Sequence, residues 1–222
     1  MNKENPPILR AFIQARMSSK RFPGKVLAPL RGKPLIAHVI AQVARVIPPE
    51  RMTVATSSEP SDDPLACYVQ ETGISIYRGP LEDVFKRFQL CLKEYPCSWF
   101  FRICADSPLL DGTLFQTMMT YCDRSDIDLV TNVYPRTFPK GHSLEMVYSA
   151  TFAGMDPATL TAEEKEHMTM VYYNHPQEFR ILNIESTDPA SSKTNLSIDT
   201  PEDLFRLEAL LQESEGSVIY ER

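Results

Sequence analysis

Apolar and polar positions along the chain switch repeatedly between two periods. Ile8 to Gln14 is a short apolar run of strand length. From Pro34 to Val46, the residues Leu35, Ile36, Val39, Ile40, Val43 and Val46 fall on one helical face. Arg51 to Thr56 predicts a second strand, Asp62 to Glu71 a helix, and Ile74 to Tyr77 a short strand before Arg78-Gly79. Leu81 to Tyr95 returns to helical spacing through Val84, Phe85, Phe88 and Leu92. Trp99 to Cys104 is a dense apolar strand, Leu114 to Cys122 a helix and Asp128 to Thr131 a strand. This β-α order builds a mainly parallel sheet covered on both faces, with ligands at the carboxyl ends of the strands. Between about 134 and 189 the pattern weakens: Leu144 to Tyr148 and Phe179 to Ile184 predict strands, and Thr161 to Tyr173 a helix. We read 134–189 as an insertion on a single domain spanning 1–222. A strand from Leu196 to Asp199 and a helix over Leu204 to Leu211 close the chain. Thr200-Pro201-Glu202-Asp203 supplies the helix-start chemistry.

The 222 residues, 43% hydrophobic and 23% charged, are enough for a large core without staples and too apolar for disorder. No apolar stretch is long enough to cross a membrane. MNKENPPILR has no signal-peptide pattern, so a cytoplasmic protein is expected. Its five cysteines (67, 91, 97, 104, 122) are irregularly spaced and read as reduced, half-buried thiols, with no zinc pattern. A net charge of −6 argues against a nucleic-acid binder. The charge is uneven, however: residues 5–49 hold eight basic residues and no acidic one, whereas 50–222 sum to −14. That asymmetry points to a local anion site.

Candidate chemistry follows the strands. The segment Gln14-Ala15-Arg16-Met17-Ser18-Ser19-Lys20-Arg21-Phe22-Pro23-Gly24-Lys25 gathers hydroxyls and cations in a loop bent by Pro23 and Gly24. Backbone N–H groups, hydroxyls and fixed cations are what a nucleoside triphosphate needs. The other reading is a solvated basic loop; its place after the first strand and the lack of nearby acids favour the anion site. It is not a Walker A loop. Asp106-Ser107-Pro108-Leu109 puts a carboxylate at a strand end, suited equally to magnesium and to a turn. Asp199 ends the last predicted strand, where an aspartate before a capped helix is commonplace. His38 reads as structural and His175 as a surface turn. Phe85, Phe88, Trp99, Phe100 and Phe101 read as core.

In order along the chain come Arg16-Met-Ser-Ser-Lys-Arg21-Phe-Pro-Gly-Lys25, Ala55-Thr56-Ser57, Arg78-Gly79, Asp106-Ser-Pro-Leu109, Asn132-Val-Tyr-Pro-Arg136-Thr-Phe-Pro, Glu166-His167 and Ile198-Asp199-Thr-Pro-Glu-Asp203. Together they resemble the cytidylyltransferases that activate acidic sugars, of the sialic-acid and 3-deoxy-manno-octulosonate type. The branch named after spore-coat polysaccharide biosynthesis protein F is the most similar. The resemblance implies a three-layer α/β/α Rossmann-like nucleotidyltransferase, a homodimer whose insertion forms substrate and dimer contacts. It implies CMP transfer from CTP to a hydroxyl of an acidic sugar or related small acid, with pyrophosphate released and Mg2+ required, for surface polysaccharide or glycoconjugate synthesis; the residues themselves leave a smaller hydroxy acid or a phosphonate open as acceptor. Arg16, Ser18, Ser19, Arg21 and Lys25 would bind the triphosphate. Thr56, Ser57, Arg78 and Arg102 would lie around the nucleotide, and Asp106 and Asp199 would hold the metal. Lys25, Arg21 and Asp106 would carry the chemistry, and His142, Glu145 and His167 would face the acceptor. Two departures stand out: Ser18 where the branch commonly has Gly, and Cys104-Ala105 before the aspartate.

Three rival readings are a transferase using another nucleotide, a nucleotide-sugar glycosyltransferase and a catalytically dead nucleotide-binding regulator. Asp126-Ile127-Asp128 matches the metal motif of the glycosyltransferases, but it opens a strand, the wrong end for a ligand. Lys25, Asp106 and Asp199 are intact, which counts against a regulator.

Overall fold

The structure is a computed structural model describing residues 7–220, with side chains through Glu213. The segment MNKENP, on which the expectation of no leader largely rests, lies outside the described residues. The strands are β1 (Leu9–Gln14), β2 (Pro29–Leu30), β3 (Lys33–Pro34), β4 (Met52–Ser57), β5 (Ser75–Gly79), β6 (Trp99–Cys104), β7 (Leu129–Thr131), β8 (Glu145–Tyr148) and β9 (Ile181–Asn183). The helices are α1 (Leu35–Ala44), α2 (Asp63–Glu71), α3 (Val84–Glu94), α4 (Gly112–Met119), α5 (Ser149–Gly154), α6 (Ala162–Glu166), α7 (Met170–Asn174) and α8 (Pro201–Tyr220).

Seven strands make one sheet, ordered β5-β4-β1-β6-β8-β7-β9. β8 runs antiparallel to both neighbours, and every other pairing in this sheet is parallel, while β2 and β3 form a separate antiparallel pair. The central strands are apolar on both faces, as a sheet covered by helices requires. One face presents Ala11, Ile13, Val54 and Phe101 to the apolar stripes of α1, α2 and α4. The other presents Phe12, Phe100, Leu129 and Val147 to α3, α5 and α7. The five aromatic residues expected in the core are buried there. Leu204 and Leu207 dock α8 onto Leu30, Leu35 and Ile198. This is the expected three-layer α/β/α architecture. Among the described residues no helix is long and apolar enough to cross a membrane. All five cysteines are free; Cys67 is exposed and Cys91 buried, so half-burial holds for the other three.

Three expectations change. Leu196–Asp199 is extended but joins no sheet. It bonds instead to two loops, Leu196 N–H to the Lys140 carbonyl and Ile198 N–H to the Asp106 carbonyl. Thr161–Tyr173 is two short helices, broken at His167, where the backbone leaves the helical region (φ −114, ψ 78). The last helix is longer than 204–211. The segment 134–189 contributes β8 and β9 to the sheet, with α5, α6 and α7 packed beside them.

Candidate active site

The loop after β1 is closed on itself by backbone bonds. The Met17 carbonyl accepts the N–H groups of Ser19 (2.9 Å) and Gly24 (2.8 Å). Gly24 holds a left-handed φ of +75°, a conformation that favours glycine. Asp62, at the start of α2, anchors the loop from below by accepting the Met17 N–H at 2.7 Å. Val26 is buried, and the side chain of the neighbouring Lys25 is itself only 12% exposed.

The Lys25 ammonium has three acceptors: Asp106 Oδ2 at 3.0 Å, Asp199 Oδ1 at 3.1 Å and the Ile198 carbonyl at 2.9 Å. The two carboxylates, 93 positions apart in sequence, are brought together by the Ile198 N–H to Asp106 carbonyl bond at 2.9 Å. Asp199 is set by the first turn of α8, where Asp203 accepts the N–H groups of Asp199 and Thr200, both at 3.0 Å. Arg21 (2.9 Å) and Lys140 (2.8 Å) also reach Asp199. Burial opposes the Asp199 charge, but Lys140 and then Lys25 outweigh it and bring its pKa down to about 2. Burial likewise opposes the Lys25 ammonium, and Asp106 followed by Asp199 raises its pKa above the ordinary lysine value.

Arg21, Lys25, Asp106 and Asp199 line a cleft of about 370 Å³ at the carboxyl ends of β1 and β6. Arg16, Ser19, Lys20, Arg21 and Lys25 line it from the loop; Gln14, Arg102, Cys104 and Asp106 come from the sheet; Glu166 and His167 come from the end of α6. Arg102 donates to Gln14 Oε1 (3.0 Å) and Glu145 Oε2 (3.3 Å). Glu145 also accepts the Tyr173 hydroxyl, which bonds Thr131 Oγ1 at 2.8 Å. Burial raises the Cys104 thiol to about 11, so it faces the cleft protonated at neutral pH.

The other candidates do not line the cleft. The Ser18 hydroxyl is buried without a partner. Thr56 Oγ1 (2.8 Å) and the Ser57 hydroxyl both donate to Asp62, so these hydroxyls hold the loop's anchor. Arg78 donates to the carbonyls of Ser57 and Glu59, each at 2.9 Å, and pairs with Asp63. Glu145 sits behind Arg102, and the half-buried His142 lies near Leu109 and Asp111, with burial lowering its pKa. Asp126 pairs with Arg124 and Asp128 with Arg180 at the opposite end of β7, away from the cleft. Asp62 was not singled out by sequence, and Gln14 and Lys20 stood in the candidate loop without roles of their own. The pair Asp62-Asp63 before Pro64 reads only as a helix start, and no local signal sends its carboxylate back to position 17.

With this geometry in hand, the likeness to known proteins is decisive. The cytidylyltransferase family model matches residues 11–222. The chain belongs to the cytidylyltransferase family. This cytidylyltransferase is therefore a CTP-using nucleotidyltransferase. It is 29% identical over 211 residues to the spore coat polysaccharide biosynthesis protein SpsF of Bacillus subtilis, spanning 91% of this chain and 86% of that one. A solved cytidylyltransferase from Leptospira borgpetersenii superposes with TM-score 0.87 at 25% identity, over 93% of this chain and 87% of that one. A CMP:2-keto-3-deoxy-manno-octonic acid synthetase complexed with CTP shares the fold, with TM-score 0.70 at 18% identity, over 93% and 99% of the two chains.

Two carboxylate oxygens meeting at one cation fit magnesium, which takes one or two protein carboxylates and completes its shell with phosphate oxygens and water. No cluster of three or more metal-ligating side chains occurs among the described residues. A metal held here would accordingly rely on the nucleotide for the rest of its ligands.

Proposed function

We propose that this cytidylyltransferase transfers CMP from CTP to a hydroxyl of an acidic sugar, releasing pyrophosphate, in an Mg2+-dependent reaction that feeds surface polysaccharide or glycoconjugate synthesis. The observation that carries this reading is Lys25, clamped between Asp106 and Asp199 in a cleft lined by Arg16, Lys20 and Arg21. Without ligand, the cations and carboxylates neutralise one another. A triphosphate competes for the cations, and the freed carboxylates would hold magnesium. Bound magnesium supplies charge neutralisation at the phosphates and polarises the phosphoryl oxygens.

The chain's own groups then act by position and charge. Arg16, Ser19, Arg21 and Lys25 hold the triphosphate, with Lys25 and Arg21 offsetting the charge that grows on the leaving pyrophosphate. Arg102, braced by Gln14 and Glu145, shapes the floor of the cleft. His167 and Glu166 face the acceptor from α6. The acidic-sugar reading is supported by the 2-keto-3-deoxy-manno-octonic acid synthetase, and the polysaccharide reading by the name of the B. subtilis relative. The same resemblance carries a cytoplasmic homodimer with contacts through 134–189, which light scattering would read as twice 25.2 kDa.

The test is pyrophosphate release with each of the four nucleoside triphosphates, with and without Mg2+ and a panel of acidic sugars. Release with CTP, Mg2+ and an acidic sugar is the expected result. Release with another nucleotide alone would reassign the donor. Binding without release would leave a regulator.

A further inference from the structure

The two carboxylates around Lys25 do not use their oxygens alike. Asp106 Oδ2 and Asp199 Oδ1 converge on the Lys25 ammonium, at 3.0 Å and 3.1 Å. The other oxygen of each is held from outside. Asp106 Oδ1 accepts the Ser107 hydroxyl at 3.1 Å, and Asp199 Oδ2 accepts the Lys140 ammonium at 2.8 Å. The pair therefore offers one oxygen apiece to whatever takes the place of the Lys25 ammonium. The reaction as proposed above gives Lys140 no part.

The backbone puts Lys140 there. Its N–H donates to the Thr194 carbonyl (3.0 Å), and its carbonyl accepts the Leu196 N–H (2.6 Å). Buried Asn132 ties down the far side of the same loop, donating to the His142 carbonyl at 2.7 Å and accepting the Leu144 N–H at 2.9 Å. The ammonium thus reaches Asp199 from the segment 134–189 and not from the basic loop. Arg21 and Lys25, the cations that a triphosphate would draw away, both sit on Asp199 Oδ1, whereas Lys140 sits on Oδ2. Lys140 is not among the described residues that line the cleft, so a nucleotide entering there does not compete for it.

An oxygen already held restricts the metal. Calcium takes roughly six to eight oxygens and often both oxygens of one carboxylate, whereas magnesium keeps a tight octahedron of single carboxylate oxygens, phosphate oxygens and water. Groups that hydrogen-bond a ligating side chain fix its orientation, and losing them commonly changes metal affinity about ten- to a hundredfold.

We propose that Lys140, by holding Asp199 Oδ2, makes Asp199 a one-oxygen ligand, as Ser107 does for Asp106, and so selects magnesium-like ions over calcium. This rests on the Mg2+-dependent CTP reading above and adds the positioning residue that sets its ion selectivity.

The experiment uses Mn2+ as the paramagnetic stand-in for Mg2+. At saturating CTP, electron paramagnetic resonance follows the enzyme-bound Mn2+ beyond what CTP alone holds. The Ca2+ concentration that displaces half of it is measured for the wild type, Lys140→Met and Lys140→Arg, with a melting temperature for each. The Lys140–Asp199 pair is partly exposed and adds little to stability, so the variants should fold. Loss of the ammonium also relieves a repulsion, but one common to both divalent ions, which cancels in the displacement. Lys140→Met should need about tenfold less Ca2+ than the wild type, and Lys140→Arg, which can still hold Oδ2, should stay within about threefold. A folded Lys140→Met with the wild-type value overturns the proposal and leaves the Mg2+ reading standing. A shift in Lys140→Arg as large as in Lys140→Met also overturns it, because a cation on Oδ2 would then not set the selectivity. A wild type that binds no Mn2+ beyond the CTP complex overturns both. Ser107→Ala frees Asp106 Oδ1 in the same way and decides if Lys140→Met does not fold: the same fall supports the proposal, and no fall overturns it.

Discussion

At the scale of single residues, the site is a cation held by two carboxylates, and its consequences are specific. Replacing Lys25 by Met leaves Asp106 and Asp199 facing each other without the ammonium between them. It also removes a charge from the triphosphate site. Turnover is expected to fall about a hundredfold, the worth of one preorganised contact of about 3 kcal/mol. Asp106→Asn should cost a hundredfold or more, and wild-type turnover under limiting Mg2+ would end its metal role. The pH dependence has a definite sign. Asp199 is lowered from 3.8 to about 2, so its contribution to stability is complete above 3.8 and is lost as pH falls towards about 2. Urea unfolding between pH 5 and 2.5 should show a steeper loss in the wild type than in Asp199→Asn, and parallel curves would remove Asp199 from the account. Lys25 has the opposite sign: raised above 10.5, its contribution holds below that value and is lost as pH rises through the folded pKa.

At the scale of elements, function depends on how loops are tied to helix starts. Asp62 is buried and accepts from Met17, Thr56 and Ser57. Asp62→Asn turns one acceptor edge into a donor facing donors, at a cost of about 1–3 kcal/mol. The loosened loop should raise KM for CTP about tenfold with a smaller change in kcat; a loss confined to melting temperature would make Asp62 purely structural. Gly141 sits at φ +100°, and a Cβ there would lie 2.6 Å from the Leu196 carbonyl carbon. Gly141→Ala must separate the two segments, which removes Lys140 from Asp199 and should destabilise by about 1–3 kcal/mol in a thermal melt. The same elements mark where sequence was readable. Trp99–Cys104 is a strand from end to end because a continuous apolar run suits a doubly covered sheet. The basic loop was legible because its composition differs from the rest of the chain. Leu196–Asp199 misled because an apolar run reads as a strand whether or not a sheet edge is open to it. Thr161–Tyr173 misled because Glu164, Met168, Val171 and Tyr172 are all buried, so the helical spacing carries across the break at His167. The resemblance put Thr56 and Ser57 around the nucleotide, and no local signal in the sequence shows that the fold returns Asp62 to their hydroxyls.

At the scale of the whole molecule, a polar layer joins β1, β6, β7, β8 and α7 directly behind the cleft, through Gln14, Arg102, Glu145, Thr131 and Tyr173. An antiparallel β8 beside β6 makes the layer: it puts Glu145 opposite Arg102, and β7 puts Thr131 opposite Glu145. No periodicity in the sequence foretells the pairing of β6 with β8, which lie more than forty residues apart. The Arg102–Glu145 pair is largely buried, with side chains 14% and 5% exposed. Cutting one partner strands the other's charge out of water, so Glu145→Leu should destabilise by about 3 kcal/mol. Removing both charges as Arg102→Met with Glu145→Leu leaves no uncompensated ion, and a hydrophobic pair can then replace the bridge nearly neutrally. The double variant should be more stable than Glu145→Leu alone, with a coupling of about 1–3 kcal/mol in denaturant melts. Turnover should not recover with stability, because Arg102 also lines the cleft floor. Additive losses of stability would mean that the two charges are solvated independently and the layer does not act as a unit. Recovery of turnover with stability would mean that it serves the fold alone.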